Sequence, residues 1–316
     1  MPHNFDVVCV GNAKIDTFLT LGKTDNHLRF QEDTNELCIK FGEKIEVDKA
    51  EVSLGGNASN VAVGLSRLGL SVGIVAEIGR DEFAQTIINK LNKEKIGTSN
   101  VQTTEGQKSS FSTIINFRGE RTIFSEHVER KHDFNFSNIV TRWIYLTSIG
   151  NIWQNAYKKT VDFVKASNCK LAFNPGTLQI NGDRRDIEEV LSASEIIFVN
   201  KEEAETILGL QHGEKEIDQL LKNLQKLGPK IVVITDGEKG SYAIDKDGQI
   251  FKKSVLKTEV VEKTGAGDAY SSGFLAAFVT GKTVSEAMDW GTNNSASVIT
   301  KIGAQEGLLR KESMEK

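Results

Sequence analysis

Cysteine and proline are scarce in this chain of 316 residues, which contains three of each. Cys9, Cys38 and Cys169 lie far apart without the CxxC spacing of a zinc or redox site, so we interpret them as free thiols. With few prolines and no low-complexity stretch, the sequence offers no linker between domains. No apolar run approaches the ~20 residues of a membrane span, and the chain does not open on a basic segment followed by an apolar stretch. We therefore expect a single domain over residues 1–316 and a cytoplasmic location.

Charge of one sign is not in large excess either. The chain carries 39 basic and 43 acidic residues, which gives a formal net charge of -4, and the two signs are interspersed. This pattern does not indicate nucleic acid or an anionic membrane as a partner.

Short β-branched and aromatic runs alternate with helical patterns along most of the chain. The predicted strands are 7–10, 72–76, 143–147, 170–173, 196–199 and 231–235. The predicted helices are 57–68, 83–95, 156–166, 215–227, 266–280 and 284–301. This alternation is typical of an α/β fold in three layers, with a mostly parallel central sheet covered by helices on both faces.

Two stretches interrupt the alternation, because residues 37–47 and 112–125 have the pattern of hairpins without an intervening helix. We predict that they belong to a small β-rich lid over one edge of the main sheet. The lid hairpins are placed at about residues 17–47 and 109–127.

The most informative segment is residues 262–269, Glu-Lys-Thr-Gly-Ala-Gly-Asp-Ala, which leads into an apolar helix. Gly265, Ala266 and Gly267 would present unpaired N–H groups and the positive end of the helix dipole to an anion such as a phosphoryl group. Asp268 beside them could take the proton of an attacking hydroxyl. An acidic residue at a helix N-terminus is equally a good capping residue, so the segment alone leaves both interpretations open.

A second segment has the same form, since the pair Gly55 and Gly56 precedes a predicted helix. Asn57 and Asn60 are three residues apart and therefore share one helix face. Their amides could bind a ligand rich in hydroxyl groups. The alternative is that Asn57 only caps the helix after a flexible turn.

Together these two segments resemble the paired signatures of the PfkB, or ribokinase-like, carbohydrate kinase family, which includes ribokinase, fructokinase and adenosine kinase. Residues 8–16 are similar to the family's opening strand with its Gly and Asp. Further similarities, in the family's order, are Asn174-Pro175-Gly176, Asn200-Lys201-Glu202-Glu203, and Thr235-Asp236-Gly237 with Gly240. The resemblance covers roughly residues 5–309, and six ordered elements are far more specific than any one of them.

The resemblance implies a role for each matching residue. Asp268 matches the catalytic base, and Gly265, Ala266 and Gly267 match the anion hole for the transferred phosphoryl group. The positions that match acceptor-binding residues are Asp16, Gly55, Gly56, Asn57 and Asn60. Those that match the nucleotide site are Asn200, Thr235, Gly237, Gly240, Thr264 and Asn294. Glu203, with Asn200, matches the element that organises Mg²⁺, so ATP and Mg²⁺ are the implied cofactors. The resemblance also suggests a homodimer in which the lids of two subunits pair, and a monomer whose lid closes alone is the alternative. For Asn294 a polar residue on a solvated helix face is the alternative.

The chain departs from the family at the start of the catalytic segment. Many members have Asp-Thr-Thr there, with the Asp near a monovalent cation, whereas this chain has Glu262-Lys263-Thr264. We therefore predict weak or absent K⁺ dependence. Gly281-Lys282-Thr283 looks like the end of a phosphate loop, but Ala276 replaces the first Gly and a helix precedes it, so we interpret it as a helix terminus.

The predicted function is ATP-dependent phosphorylation of a primary hydroxyl on a sugar or nucleoside. A sugar phosphate or sugar acid as acceptor is the alternative within the same fold, and it would call for basic residues beside the lid. Arg118, Arg121 and Lys40 are the candidates, although charges on hairpins and edge strands often serve solubility. A non-catalytic sugar- or nucleotide-binding regulator is the alternative from another class.

Overall fold

The computed structural model of the chain describes residues 3–22, 27–118, 120–126, 128–211 and 213–315. The strands are, in chain order, β1 (His3–Val10), β2 (Lys14–Leu21), β3 (Leu28–Gln31), β4 (Glu36–Ile39), β5 (Lys49–Gly55), β6 (Val72–Ile78), β7 (Gly97–Thr103), β8 (Phe111–Phe117), β9 (Glu120–Ser125), β10 (Ile139–Leu146), β11 (Lys170–Phe173), β12 (Ile196–Asn200), β13 (Ile231–Thr235), β14 (Ser241–Ile244) and β15 (Ile250–Lys253). The helices are α1 (Asn57–Arg67), α2 (Glu82–Lys93), α3 (Gln154–Ser167), α4 (Thr177–Ile180), α5 (Arg184–Ala193), α6 (Lys201–Ile207), α7 (Ile217–Gln225), α8 (Ala266–Val279), α9 (Val284–Val298) and α10 (Lys311–Met314).

A nine-stranded sheet forms the centre of the fold, in the order β15-β14-β13-β12-β11-β10-β1-β6-β7. Neighbouring strands from β13 to β7 pair in parallel, and only β14 and β15 at one edge are antiparallel. The predicted mostly parallel sheet is confirmed, and each predicted strand and helix is present. The strands predicted at 170–173 and 231–235 have the predicted ends, and the other elements are shifted at one or both ends. In such sheets the carboxyl ends of the strands carry the loops that bind ligands.

Strand β1 shows why helices cover both faces of this sheet. Val7 and Cys9 point into a core layer shared with α1, α8 and α9, whereas Val8 and Val10 point into the layer shared with α3, α5 and α7. All four side chains are fully buried. A strand buried on both faces needs a continuous apolar run, which is the pattern that predicted it.

A separate four-stranded sheet in the order β5-β2-β8-β9 forms the lid. Strands β2 and β8 pair in parallel, and the two outer pairs are antiparallel. The hairpin predicted within residues 112–125 is confirmed as β8 and β9, with Gly119 of its turn outside the described residues. The single-domain assignment and the limits of the lid stay predictions. Within the predicted lid ranges, residues 23–26 and 127 lie outside the described part of the chain.

The predicted hairpin over residues 37–47 is wrong. Strand β4 pairs with the preceding β3 as a small separate ribbon, and residues 40–48 form no strand. The strand that follows, β5, pairs with β2, which lies outside the window in which the hairpin was sought. The polar side chains of β2 hide its strand character, because they face the space under the lid.

The resemblance of Gly281-Lys282-Thr283 to a phosphate loop has no structural counterpart. Gly281 follows the end of α8 with a positive φ of 92°, as at a helix C-terminus. The Lys282 ammonium lies 5.4 Å from the centre of the Trp290 ring. Within the described ranges, no helix is both long and apolar enough to span a bilayer.

Candidate active site

Helices α1 and α8 bring the two Gly-rich segments together at the carboxyl ends of the central strands. Asp268 lies in the first turn of α8 and is buried. The Asn60 side-chain amide donates a hydrogen bond of 2.8 Å to its Oδ2, and the Asn57 amide donates one of 3.2 Å to its Oδ1. The residues that cap these helices are Gly56 and Gly265, so neither Asn57 nor Asp268 acts as the cap.

Both asparagines are oriented by further hydrogen bonds. Ser148 Oγ donates to Asn57 Oδ1 at 3.0 Å, and Gln305 Nε2 donates to Asn60 Oδ1 at 2.9 Å. Since each amide oxygen accepts a bond, each NH₂ group is directed at the Asp268 carboxylate. Sequence reasoning missed Ser148 and Gln305, which belong to no motif.

The environment of Asp268 matches the needs of a general base. Burial raises the pKa of its carboxyl to about 7, against the hydrogen bonds from Asn60 and Asn57, which favour the charged form. The negative charges of Asp16 and Glu203 raise the pKa further. A base with a pKa near the working pH is the most effective proton acceptor.

Asp16 extends from β2 on the lid side of the site and is buried. Burial raises the pKa of its carboxyl, opposed by the charge of Lys14 and a hydrogen bond with Ser112. Its Oδ1 is buried and has no hydrogen-bond partner among the residues that the structure describes. A Cβ atom on Gly55 would overlap this carboxylate, which explains the glycine there.

The other predicted acceptor residue, Gly56, has a φ of 89°, and a Cβ there would lie 2.5 Å from the Asn12 carbonyl oxygen. Lys14, which sequence reasoning missed, donates a hydrogen bond of 2.9 Å to Ser125 Oγ of β9. The lid thus supplies a cation beside the two carboxylates.

The predicted anion hole begins at Gly265, which adopts the left-handed conformation with a φ of 78°. A Cβ on Gly265 would lie 2.5 Å from the Cβ of Ala304, so the close approach of the two loops also requires glycine. A Cβ on Gly267 would meet no described atom within 4 Å. The N-terminus of α8 therefore borders open space at Gly267, where an anion can approach. The Ala266 N–H donates a long hydrogen bond of 3.3 Å to the Lys263 carbonyl oxygen, with which an anion would compete.

The Glu262 carboxylate holds the backbone just before α8 in place. Its carboxylate accepts a bond of 2.5 Å from the Thr264 N–H through Oε1 and one of 3.2 Å from the Gly303 N–H through Oε2. Only 1% of the residue is exposed. Thr264 Oγ1 is buried without a partner among the described residues.

A cavity of about 550 Å³ opens beside the N-terminus of α8. Ala266, Gly267 and the predicted nucleotide residues Thr235, Gly237 and Gly240 line it. One wall is apolar and consists of Val255, Leu256, Val260, Ala296 and Ile299. A volume of this size with a mostly apolar lining is typical of a small-molecule site.

The interpretation of Asn294 as a residue facing the adenine is wrong. Asn294 is fully buried, and its amide donates to the Ala269 carbonyl oxygen at 2.9 Å and to Ser272 Oγ at 3.2 Å. Its Oδ1 accepts a bond from the Leu309 N–H. These bonds hold α8, α9 and the following segment together, and the residues of α9 that line the cavity are instead Thr292, Ser295 and Ala296.

Asn200 and Glu203 form a reciprocal capping box at the start of α6. The Asn200 N–H donates to Glu203 Oε2, and the Glu203 N–H donates to Asn200 Oδ1, both at 2.8 Å. Burial raises the pKa of Glu203. Within the described residues no group of three or more His, Cys, Asp or Glu side chains could hold a metal, but Mg²⁺ in phosphoryl-transfer sites needs only one or two carboxylates beside phosphates and water.

The basic residues considered for an anionic acceptor do not form a cluster. Arg118 stacks on Phe30 and Phe117, Lys40 pairs with Glu43 at 3.1 Å, and Arg121 lies 3.8 Å from Glu262. Each of the three cations contacts a different side chain, so they do not converge on one anion-binding site.

The model of the pfkB family carbohydrate kinases matches residues 7–311 of this chain. The chain belongs to the pfkB carbohydrate kinase family. This pfkB kinase is 24% identical to the 5-dehydro-2-deoxygluconokinase of Clostridium perfringens, over 99% of this chain and 92% of that protein. It is 27% identical to the ribokinase of Haemophilus influenzae, over 87% of this chain and 91% of that protein.

Solved structures agree with the fold. An Arabidopsis thaliana ribokinase complexed with ribose and ATP superposes on the pfkB kinase with a TM-score of 0.77 and 18% identity, over 99% of this chain and 98% of that one. The predicted ribokinase-like fold and the prediction of a carbohydrate kinase are confirmed.

Proposed function

We propose that this kinase transfers the γ-phosphoryl group of ATP to a primary hydroxyl of a sugar, with Asp268 as the base. One observation carries the proposal: a buried carboxylate with a pKa of about 7 is held by Asn57 and Asn60 next to a glycine-lined helix N-terminus that opens on a cavity. A proton acceptor next to an anion site is what phosphoryl transfer to an alcohol requires.

In this mechanism Asp16 and the amides of Asn57 and Asn60 bind hydroxyl groups of the acceptor. Asp268 accepts the proton of the reacting hydroxyl as the bond to phosphorus forms. The N–H groups of residues 265–267 stabilise the negative charge on the transferred group. The lid excludes water, which otherwise competes with the sugar for the phosphoryl group.

The cavity lined by Thr235, Gly237 and Gly240 is the proposed ATP site, in which the adenine ring packs against the apolar wall. Asn200 and Glu203 fit the needs of a hydrated Mg²⁺, since they offer an amide and a carboxylate on one helix turn. The metal supplies charge neutralisation for the phosphates.

The acceptor is either a neutral sugar or a sugar acid. Ribose is bound by one structural neighbour, and several curated relatives are named 5-dehydro-2-deoxygluconokinase. The names of these relatives favour the second candidate. Arg118, Arg121 and Lys40 do not form a shared anion site, which favours the first.

The test is ADP release by the purified protein with Mg-ATP and a panel of ribose, fructose, other hexoses, nucleosides and 5-dehydro-2-deoxygluconate. We expect one acceptor to exceed the others in kcat/KM. A folded protein that binds ATP and phosphorylates none of them would contradict the proposal.

The rate should depend on pH through Asp268. Because burial raises the pKa of this base to about 7, its active deprotonated form increases as the pH rises through that value. We expect kcat/KM at about pH 6 to be about tenfold below its plateau near about pH 8. A profile recorded with excess Mg²⁺, which keeps the nucleotide ionised, checks this. A flat profile would show that Asp268 is ionised throughout.

The kinase should also work without K⁺. The Glu262 carboxylate already accepts two backbone hydrogen bonds and lies 3.8 Å from the Arg121 guanidinium. Replacing Na⁺ by K⁺ at constant ionic strength should change kcat by less than about twofold. A large gain in kcat with K⁺ would refute this prediction.

The lid also supports the predicted homodimer. Val52 and Phe124 expose more than half of their surface on one face of the lid sheet, where apolar side chains suit a partner lid. The cytoplasmic location stays a prediction.

A further inference from the structure

Among the described residues, two ion pairs join the lid to the catalytic segment, and both involve the start of β9. Lys263 pairs with Glu120 at 2.6 Å, and Arg121 Nε lies 3.8 Å from Glu262 Oε1. The two contacts differ in burial: the Lys263 and Glu120 side chains are 44% and 64% exposed, whereas Glu262 is 1% exposed. Exposed pairs contribute little, but a buried carboxylate depends strongly on a nearby cation.

We propose that Arg121 is a positioning residue, which acts through Glu262 to hold the anion hole in its active shape when the lid is closed. The inference rests on the proposed function of residues 265–267. Arg121 neutralises the carboxylate that fixes the Thr264 and Gly303 N–H groups. An open lid withdraws this guanidinium from Glu262, and the buried charge then loses its cationic neighbour.

Glu262 positions both the turn that forms the anion hole and the loop that orients Asn60. Through Thr264 it sets the chain that enters Gly265, whose left-handed turn packs against Ala304. Through Gly303 it holds the turn that contains Gln305, the residue that orients Asn60 toward Asp268. Through Glu262, Arg121 thereby influences both the anion hole and the Asn60 amide that donates to Asp268.

Two further hydrogen bonds link the end of β9 and the start of β8 to the acceptor side of the site. Lys14 of β2 bonds to Ser125 of β9, and Ser112 of β8 bonds to Asp16. The strand that carries Arg121 is therefore joined to the residues that meet the acceptor. Acceptor binding under the lid and formation of the anion hole are coupled through β9.

The test compares Arg121→Gln with two matched controls in the same hairpin. Arg118→Gln removes the same charge from a residue that stacks on Phe30 and Phe117, and Glu120→Gln breaks only the exposed pair with Lys263. We expect Arg121→Gln to lower kcat at least about tenfold with little change in the KM for either substrate, because a misplaced anion hole affects the transition state most. Both controls should stay within about twofold of wild type.

Two further variants separate positioning from structural damage. Arg121→Lys keeps a cation near Glu262 and should recover part of the lost kcat. In a Glu262→Gln background, Arg121→Gln should have no further effect, because the two residues act as a unit. Thermal melting of each variant shows whether it is folded.

Additive losses in the double mutant, a change confined to the acceptor KM, or an Arg121→Gln protein as active as Arg118→Gln would overturn the inference. Any of these can occur while the wild-type protein phosphorylates its acceptor and Asp268→Asn does not. The proposed function would then stand without the role of Arg121.

Discussion

Replacing Asp268 by Asn should lower kcat by about 10²–10⁴-fold, the usual contribution of a general base. The variant keeps the size of the side chain but removes the carboxylate that both Asn57 and Asn60 bind. The neutral amide cannot accept a proton at any working pH. Substrate binding should change far less, since Asp16 and the nucleotide cavity are untouched.

The measurement is steady-state turnover with the preferred acceptor, together with ATP affinity. Lys282→Ala is the matched control, because Lys282 follows the far end of the same helix and lies on Trp290. We expect it to retain nearly full activity. An Asp268→Asn protein that turns over at the wild-type rate would exclude Asp268 as the base.

Gly265→Ala should lower kcat by about 10²–10³-fold, the loss typical of a damaged oxyanion-type site. The residue has a φ of 78°, and an added methyl group would lie 2.5 Å from the Cβ of Ala304. The left-handed conformation alone costs an alanine about 1–2 kcal/mol. The chain must therefore move away from Ala304, and the N–H groups of the anion hole move with it.

Gly281→Ala provides the comparison for this variant. Gly281 also has a positive φ, 92°, at the C-terminus of the same helix, but a Cβ there meets no described atom within 4 Å. Both variants should lose a similar amount of stability from the backbone strain. Only Gly265→Ala should lose turnover, and equal activities in the two would mean that the turn at Gly265 does not shape the anion hole.

The central sheet could be predicted because its strands are buried on both faces. A run such as that in β13, from Ile231 to Ile234, is typical of a strand buried on both faces. The sequence patterns did not predict the strands β2, β3, β5, β7, β14 and β15. The edge strands β5, β7 and β15 carry polar side chains toward solvent, and β2 carries Lys14 and Asp16 toward the active site, so these four strands lack a continuous apolar run. Strand β14 lies between β13 and β15, and its four residues are too few to stand out as a separate run.

The candidate site was predicted where its residues lie in short Gly-rich motifs. Asp268, Asn57 and Asn60 fall in such motifs, and the structure brings them within hydrogen-bond distance. Gln305 and Arg121 act through single contacts with residues far away in the sequence, which leave no local pattern. The prediction that Asn294 faces the adenine was wrong because the direction of its amide depends on hydrogen bonds to residues of α8, which the position of Asn294 in its own helix does not reveal.

The hydrogen bonds that hold the base span most of the chain. Asn60 lies 208 residues before Asp268 and 245 residues before Gln305. During synthesis, the amino-terminal half therefore leaves the ribosome with its asparagines in place but with no carboxylate for them to bind. Contacts of such long range form late in folding. On the proposed mechanism, phosphotransfer therefore begins only when α8 and the segment after α9 have docked, so a chain that is still folding does not consume ATP by this route.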